Sequence, residues 1–155
     1  MPVKVTKQFE KSLPKVLFVD DEESILSAAR RLFRGRAIEV CTSLSPKQAL
    51  KQLEDDDIWA VVSDQRMPEM SGVEFLEQVR ARWPNVTRVM LTGFLEGEVI
   101  REAINRASVF RFITKPWDEN ELVLGVEAAI KHSGRSRTNA ELAREIGHQN
   151  QKLEL

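Results

Sequence analysis

The hydrophobic and polar positions along the chain follow a repeating pattern, in which short apolar runs alternate with longer amphipathic stretches. Short apolar runs bounded by polar residues predict buried strands, whereas apolar residues that recur every three or four positions predict helices. The alternation occurs five times before residue 133. The predicted strands cover residues 15–19, 38–41, 58–62, 86–91 and 109–113, and a helix is predicted after each of them.

Local signals set the ends of several predicted helices. Ser45 caps the second helix and Ser71 caps the third, because a serine side chain accepts a hydrogen bond from a free N–H of the first turn. Pro84 ends the third helix near Trp83, since proline cannot continue a helix. The fourth helix is predicted over about residues 95–107, with an inward face of Val99, Ile100, Ala103 and Ile104.

Five strands alternating with five helices, joined by short loops, predict an α/β fold of the (βα)5 type. Such an alternation favours a parallel sheet, because each helix returns the chain to the starting edge of the next strand. The predicted strands are apolar on both faces, as a sheet covered by helices on both sides requires. We therefore expect a doubly wound, five-stranded parallel sheet.

The two ends of the chain differ from this repeat. Residues 1–14 show no clear period and are expected to form a loose tail before a domain over residues 15–132. Residues 133–139 are small and polar, which indicates a linker, and residues 140–155 begin a further helix that would lead into an output domain. Its apolar positions follow a heptad spacing, which fits a dimerising helix as well as a solvated one: Leu142, Ile146, Gln149 and Leu153.

Composition excludes several classes of protein. The chain has 155 residues, of which 42% are hydrophobic and 30% charged, and its formal net charge is -1. This balance gives no indication of direct nucleic-acid binding or of attraction to a membrane surface. The sequence has neither an apolar run of membrane-spanning length nor a signal-peptide core. A cytoplasmic protein is expected, with Cys41 as a buried, reduced thiol.

Polar residues that could take part in binding or chemistry lie at the ends of four of the five predicted strands. Asp20 and Asp21 follow the first strand, Asp64 the third, Thr92 ends the fourth, and Lys115 follows the fifth. The carboxyl ends of parallel strands lie at one edge of the sheet, where ligands bind in open α/β folds. The fold class therefore predicts a crevice that holds three carboxylates, a hydroxyl and an ammonium group.

Three neighbouring carboxylates repel one another by roughly 4 kcal/mol per pair at 4 Å and an effective dielectric near 20. A divalent cation such as Mg²⁺ would offset this repulsion, whereas a raised pKa on one acid is the alternative. With a metal, the site suits phosphoryl transfer to a carboxylate, with a lysine and a hydroxyl on the phosphoryl oxygens. Gly93, beside Thr92, would leave room for the phosphoryl group.

Five segments of this sequence together resemble the receiver domain of two-component response regulators, over about residues 15–132. They are Val19-Asp20-Asp21-Glu22, Ser63-Asp64, Met67-Pro68 with Gly72, Leu91-Thr92-Gly93, and Phe112-Ile113-Thr114-Lys115-Pro116. The resemblance implies the flavodoxin-like strand order 2-1-3-4-5 and a switch rather than an enzyme, with autophosphorylation from small donors and slow autodephosphorylation.

The resemblance also implies a role for each matching residue. Asp64 would be the phosphoacceptor, and Asp20, Asp21, Asp64 and the backbone carbonyl of Arg66 would bind Mg²⁺ or Mn²⁺. Thr92 and Phe112 would be switch residues, Gly93 and Lys115 would face the phosphoryl group, and the Lys115–Pro116 bond would be cis. The same resemblance suggests that Gln65 and Arg66 tune the lifetime of the phosphorylated state.

Two positions depart from the family pattern. Phe112 lacks the hydroxyl of a tyrosine, so that any signal it carries depends on packing. Before the fifth strand, where the family often has Gly-Ala, the chain has Asn105-Arg106-Ala107-Ser108, and Asn105 is expected to supply the left-handed residue of that turn.

Partners and rival functions follow from the same resemblance. A histidine kinase or histidine phosphotransferase would donate the phosphoryl group, an output domain or effector would read it, and a homodimer would form through helix 4, strand 5 and helix 5 or through the C-terminal helix. A flavin or dinucleotide domain needs a phosphate-binding loop where this chain has Asp20-Asp21-Glu22-Glu23. A haloacid-dehalogenase-like phosphatase would place its nucleophile there. The remaining alternative is a phosphorylation-independent interaction module.

Overall fold

The computed structural model describes residues 12–93 and 96–153, so most of the predicted amino-terminal tail lies outside the described residues. Five strands and five helices alternate along the chain. The strands are β1 (Lys15–Val19), β2 (Glu39–Ser43), β3 (Ile58–Ser63), β4 (Thr87–Thr92) and β5 (Arg111–Thr114). The helices are α1 (Glu23–Leu32), α2 (Pro46–Asp55), α3 (Gly72–Arg82), α4 (Gly97–Ala107) and α5 (Glu119–Leu153).

The strands form one parallel sheet in the order β2-β1-β3-β4-β5. Both the α/β fold class and the strand order implied by the resemblance are thereby confirmed. Val19, the last residue of β1, pairs with Ser43 of β2 and with Ser63 of β3. This register brings three strands to their carboxyl ends at the same level of the sheet.

Two apolar layers cover the faces of the sheet. Alternate residues of β1 pack into the two layers, because successive side chains of a strand point to opposite faces. Val16 and Phe18 pack in the layer beneath α1 and α5, whereas Leu17 and Val19 pack in the layer beneath α2, α3 and α4. All four side chains are at most 1% exposed, which confirms a sheet covered on both faces.

The predicted caps form at two helix starts. The Ser45 hydroxyl oxygen accepts a hydrogen bond from the Gln48 N–H at 3.2 Å, and Ser71 accepts one from the Glu74 N–H at 3.2 Å. Ser71 therefore fixes the start of α3, which follows the loop after Asp64. Within the described residues, no helix is both long and apolar enough to cross a membrane.

The inward face predicted for the fourth helix is wrong at one position. Ala103 and Ala107 are fully buried, but Ile104 is 52% exposed. Residues four apart share a face of a helix, whereas adjacent residues are turned by about 100°. Ala103 and Ala107 are four residues apart and share the buried face of α4. Ile104 follows Ala103 directly, so that it is turned away from that face.

The left-handed residue before β5 is Ser108 and not Asn105. Asn105 lies inside α4, where its carbonyl accepts a hydrogen bond from Arg80. Ser108 follows the helix with φ 46° and ψ 53°, and its N–H donates to the Ala103 carbonyl. The left-handed conformation is needed where the helix ends, and α4 continues to Ala107.

Residues 133–139, predicted as a linker, are helical, because α5 runs through them without a break. The intrinsic helix preferences of Ser-Gly-Arg-Ser-Arg-Thr-Asn are unfavourable by about 3 kcal/mol in total relative to alanine. Contacts with the sheet stabilise the helix here: the buried Ser133 donates a hydrogen bond to the Asn85 carbonyl at 2.7 Å. Arg137 donates to the Asp57 carboxylate and to the Ile58 carbonyl, each at 2.9 Å.

The described part of the heptad pattern lies on the exposed end of α5. Leu142 is 50% exposed and Ile146 is 59% exposed. The side chains of Gln149 and Leu153 lie outside the described residues. The dimerising helix stays a prediction.

We expect the substitution Ser108→Gly to raise the free energy of unfolding by about 0.5–1 kcal/mol. A residue with a Cβ pays a steric cost in the left-handed region that glycine avoids, and the larger backbone entropy of glycine cancels part of this gain. Urea denaturation followed by tryptophan fluorescence measures the change. Ser108→Ala is the control, since it keeps the Cβ, and an equal gain in that variant would contradict the conformational explanation.

Candidate functional site

The site lies at the carboxyl edge of the sheet, and backbone hydrogen bonds between neighbouring strands fix its parts. The Asp64 N–H donates to the Val19 carbonyl at 3.0 Å, and the Lys115 N–H donates to the Thr92 carbonyl at 3.0 Å. These bonds continue the ladder one step beyond the ends of β3 and β5. The functional side chains therefore project from the rigid sheet at its edge.

Three of the predicted residues form an acidic cluster. Oxygen atoms of Asp20, Asp21 and Asp64 all lie within 4.8 Å of one another. Asp20 is 2% exposed and Asp64 is 8% exposed, whereas Asp21 is exposed. Carboxylate oxygens are the donors that Mg²⁺ prefers, and Mg²⁺ sites need only one or two of them besides water. The donor set thus fits a hard divalent cation.

Lys115 provides a positive charge inside this cluster. Its Nζ lies 2.6 Å from Asp20 Oδ2 and 3.4 Å from Asp64 Oδ2. Burial disfavours the charged form of Lys115, but the hydrogen bond and the attraction of Asp20, together with Asp64, outweigh it and raise the pKa of the ammonium group. The lysine therefore stays protonated and joins the carboxylates of β1 and β3.

The pKa of Asp64 is raised from its ordinary value. Burial is the main cause and Asp20 adds repulsion, while Lys115 and the N–H of Gln65 act in the opposite direction. The Gln65 N–H donates to Asp64 Oδ1 at 2.8 Å, so that this oxygen has a fixed partner. The other oxygen, Oδ2, faces Lys115. The carboxylate is thus oriented by one group on each oxygen.

The side chains of Gln65 and Arg66 leave the acceptor in different directions. Gln65 Oε1 accepts a hydrogen bond from the Val73 N–H at 2.9 Å, which ties the loop after β3 to the first turn of α3. Arg66 is exposed, and its guanidinium lies 3.9 Å from the Glu96 carboxylate. Exposed ion pairs contribute little to stability. Nothing in the sequence around Gln65 predicts this hydrogen bond to α3.

Gly72 allows α3 to start directly against the acceptor. Its N–H donates to the Gln65 carbonyl at 2.9 Å, and a Cβ at this position would lie 2.3 Å from the Asp64 carbonyl oxygen. Real Cβ atoms do not approach this closely. The sequence marks Gly72 only as part of a loop, whereas the structure shows a steric requirement.

The remaining predicted residues lie around the same edge. Thr92 is 1% exposed at the end of β4, next to β5. A Cβ on Gly93 would lie 3.9 Å from the Cβ of Lys115, an ordinary contact distance, so that Gly93 is adjacent to the lysine. Phe112 is half-buried against the core layer beneath α2, α3 and α4. The Lys115–Pro116 peptide bond is cis, as the resemblance implied.

Comparisons with known proteins identify the family of this chain. The family model of the response regulator receiver domain matches residues 16–127. The hydrogenase transcriptional regulatory protein HoxA of Bradyrhizobium diazoefficiens is 39% identical over 116 residues, which cover 75% of this chain and 24% of that protein. The signal receiver domain of an HD domain-containing protein from Pseudomonas fluorescens Pf-5 has a TM-score of 0.80 and 30% identity, covering 83% of this chain and 95% of that structure.

The chain belongs to the response regulator receiver domain family. It is a receiver domain of the two-component type, and receiver domains are signalling switches rather than classical enzymes. They generally bind Mg²⁺ at an acidic pocket, and the cluster of Asp20, Asp21 and Asp64 corresponds to such a pocket. The chain spans about a quarter of the length of the two HoxA proteins that it matches.

We expect Gly72→Ala to lower the free energy of unfolding by roughly 1–3 kcal/mol, as overpacking of a close backbone contact does. The new methyl group would displace either Asp64 or the start of α3. Chemical denaturation measures the loss. Gly97→Ala is the matched control, because Gly97 also begins a helix but has no described atom within 4 Å of an added Cβ. Equal losses in the two variants would contradict a steric role for Gly72.

We expect Lys115→Met to raise the pKa of Asp64 further in metal-free buffer. Lys115 favours the charged form of the carboxyl group, and its removal leaves burial and Asp20 to oppose that form. Titration of the carboxyl carbon resonances by NMR measures the pKa. Lys131→Met is the control, since it removes an equal charge from an exposed position on α5. An unchanged or lowered pKa in Lys115→Met would contradict the proposed electrostatics.

Proposed function

We propose that Asp64 accepts a phosphoryl group from a histidine kinase or histidine phosphotransferase in a Mg²⁺-dependent reaction, and that this switches the conformation of the domain. One observation carries the proposal. The Asp64 carboxylate, largely buried at the end of a central strand, lies between two further acids and an ammonium group 3.4 Å away. Charges of both signs around a nucleophilic carboxylate suit the binding of a metal and a phosphoryl group.

Asp20, Asp21, Asp64 and the backbone carbonyl of Arg66 would hold the metal, with Mn²⁺ able to replace Mg²⁺. A metal ion held there would offset the repulsion between the carboxylates and stabilise negative charge on the phosphoryl oxygens. Lys115 Nζ donates a hydrogen bond to Asp20 Oδ2 at 2.6 Å, which orients this acid from the side of β5. The three carboxylate ligands of this proposed set would come from the segments directly after β1 and β3.

In the transfer, an Asp64 carboxylate oxygen forms a bond to phosphorus while the bond from phosphorus to the donor histidine nitrogen breaks. The bonding pair remains on the imidazole, which then takes up a proton. The Gln65 N–H holds Asp64 Oδ1 in place during the approach. Lys115 is positioned to bind a phosphoryl oxygen, because its Nζ already lies near Asp64 Oδ2.

The switch would use the residues next to the acceptor. The buried Thr92 hydroxyl group would bind the phosphoryl group, and Phe112 would repack on the neighbouring strand. A shift of the two-state equilibrium from 1:99 to 99:1 requires about 5.5 kcal/mol of differential stabilisation. The signal would pass through the face of α4, β5 and α5 to an output domain or effector, with homodimerisation through this face or through the C-terminal helix.

Gln65 and Arg66 would tune how long the phosphoryl group persists, since both adjoin the acceptor. Arg66 is exposed two residues after Asp64, and its guanidinium lies 3.9 Å from the Glu96 carboxylate. The protein would act in the cytoplasm, without direct nucleic-acid binding by this segment. The alternative function is a phosphorylation-independent interaction module.

We expect incubation with acetyl phosphate and Mg²⁺ to add the mass of one phosphoryl group to the intact protein. The adduct should require the metal and should be absent from Asp64→Asn, which keeps the size of the side chain but removes its nucleophilic charge. Intact-protein mass spectrometry measures both. Chelation of the metal and a later chase with hydroxylamine, which cleaves acyl phosphates, serve as controls.

Two results would contradict the proposal. An adduct of the same yield in Asp64→Asn would place the acceptor elsewhere. A folded protein that binds neither a phosphoryl group nor beryllofluoride in the presence of Mg²⁺ would favour the phosphorylation-independent module.

A further inference from the structure

The segment from Ser133 to Asn139 is helical although its composition disfavours a helix. It contains a glycine and four small polar residues, whose side chains compete with the backbone for hydrogen bonds. The flanking parts of α5 have many more helix-favouring residues. The helical conformation of this segment therefore depends on contacts outside the helix itself.

Arg137 makes most of these contacts, at the amino-terminal edge of the sheet. Its guanidinium donates to Asp57 Oδ1 and to the Ile58 carbonyl at 2.9 Å each, and to Ser133 Oγ at 3.3 Å. The guanidinium carbon lies 4.5 Å from the centre of the Trp59 ring, within the range of a cation–π contact. A single side chain thus binds the first two residues of β3 and the residue before them.

Ser133 and Gly134 complete the docking one turn earlier. The fully buried Ser133 hydroxyl donates to the Asn85 carbonyl, which precedes β4. A Cβ on Gly134 would lie 3.4 Å from the Trp59 ring, so that glycine permits close approach of the helix to the tryptophan. Two of the residues that weaken the helix, Ser133 and Gly134, thus allow it to approach the sheet closely.

The contacts of α5 with the sheet thin out after Arg137. Residues 138–147 are exposed at every position except Ala140. A cavity of about 380 Å³ opens between this part of the helix and the ends of α2 and α3, with Arg137, Glu141 and Arg144 in its wall. Arg137 is therefore close to the point at which the helix leaves the domain.

We propose that residues 133–139 are helical only while Ser133 and Arg137 are docked at the amino-terminal ends of β4 and β3. The docked state fixes the direction in which the rest of α5 leaves the domain. Release of Arg137 frees the segment to unfold locally, and it then acts as the hinge that its composition indicates. This docking does not involve the residues of the phosphoryl chemistry proposed for the opposite edge of the sheet.

We expect Arg137→Ala to increase amide hydrogen exchange in residues 134–147 by about tenfold or more in the 155-residue chain, without a comparable change in β1 and β3. Exchange measured by mass spectrometry on peptic peptides reports each region separately. Arg135→Ala is the matched control: Arg135 is exposed on the same segment, and both substitutions replace arginine by the better helix former alanine.

A second variant tests the docking from the side of the sheet. Asp57 is 74% exposed at its side chain, so that Asp57→Ala should fold normally but raise exchange in the same peptides. Asp55→Ala, an equal charge change at an exposed position nearby, should not. Exchange in Arg137→Ala equal to that of Arg135→Ala would overturn the proposal. Equal loss of protection in the segment and in β1 would also overturn it, because the segment would then unfold only with the core.

Discussion

The main physical constraint on the functional edge of this receiver domain is the mutual repulsion of three carboxylates that the sheet brings together. The ligand atoms lie within 4.8 Å of one another, so that each pair of charges costs at least about 3 kcal/mol at an effective dielectric near 20. Lys115 compensates part of this cost by bonding to Asp20 and approaching Asp64. The remaining negative charge favours a bound cation, and the proposed function rests on this same charge.

The sheet can hold such a site because its strands are anchored on both faces. The alternating side chains of β1 enter both apolar layers, and the register of β1 with β2 and β3 ends at one level. The polar residues that directly follow these strand ends are therefore held close together. At the opposite edge of the sheet, Arg137 binds the first residue of β3 and Ser133 binds Asn85, which precedes β4, so that the sheet lies between the acidic edge and the docked part of α5.

Sequence periodicity predicted the number and type of elements because burial on two faces leaves a strong apolar signal in each strand. The site residues were predictable for a related reason: the carboxyl ends of parallel strands must lie together, whatever the details of packing. The prediction that Ile104 faces inward was wrong, and the left-handed conformation of Ser108 was not predicted. A shift of one position along α4 changes which side chain is buried and where the helix ends.

The sequence by itself determined the fold class, the strand ends that carry Asp20, Asp64, Thr92 and Lys115, and the caps at two helices. Only the tertiary structure decided that Gly72 must lack a side chain, because the clash is with the Asp64 carbonyl eight positions earlier in the chain. It also decided that residues 133–139 are helical. Local composition there favours a linker, and contacts with Asn85, Asp57 and Ile58, which lie about fifty to eighty positions earlier, outweigh that preference.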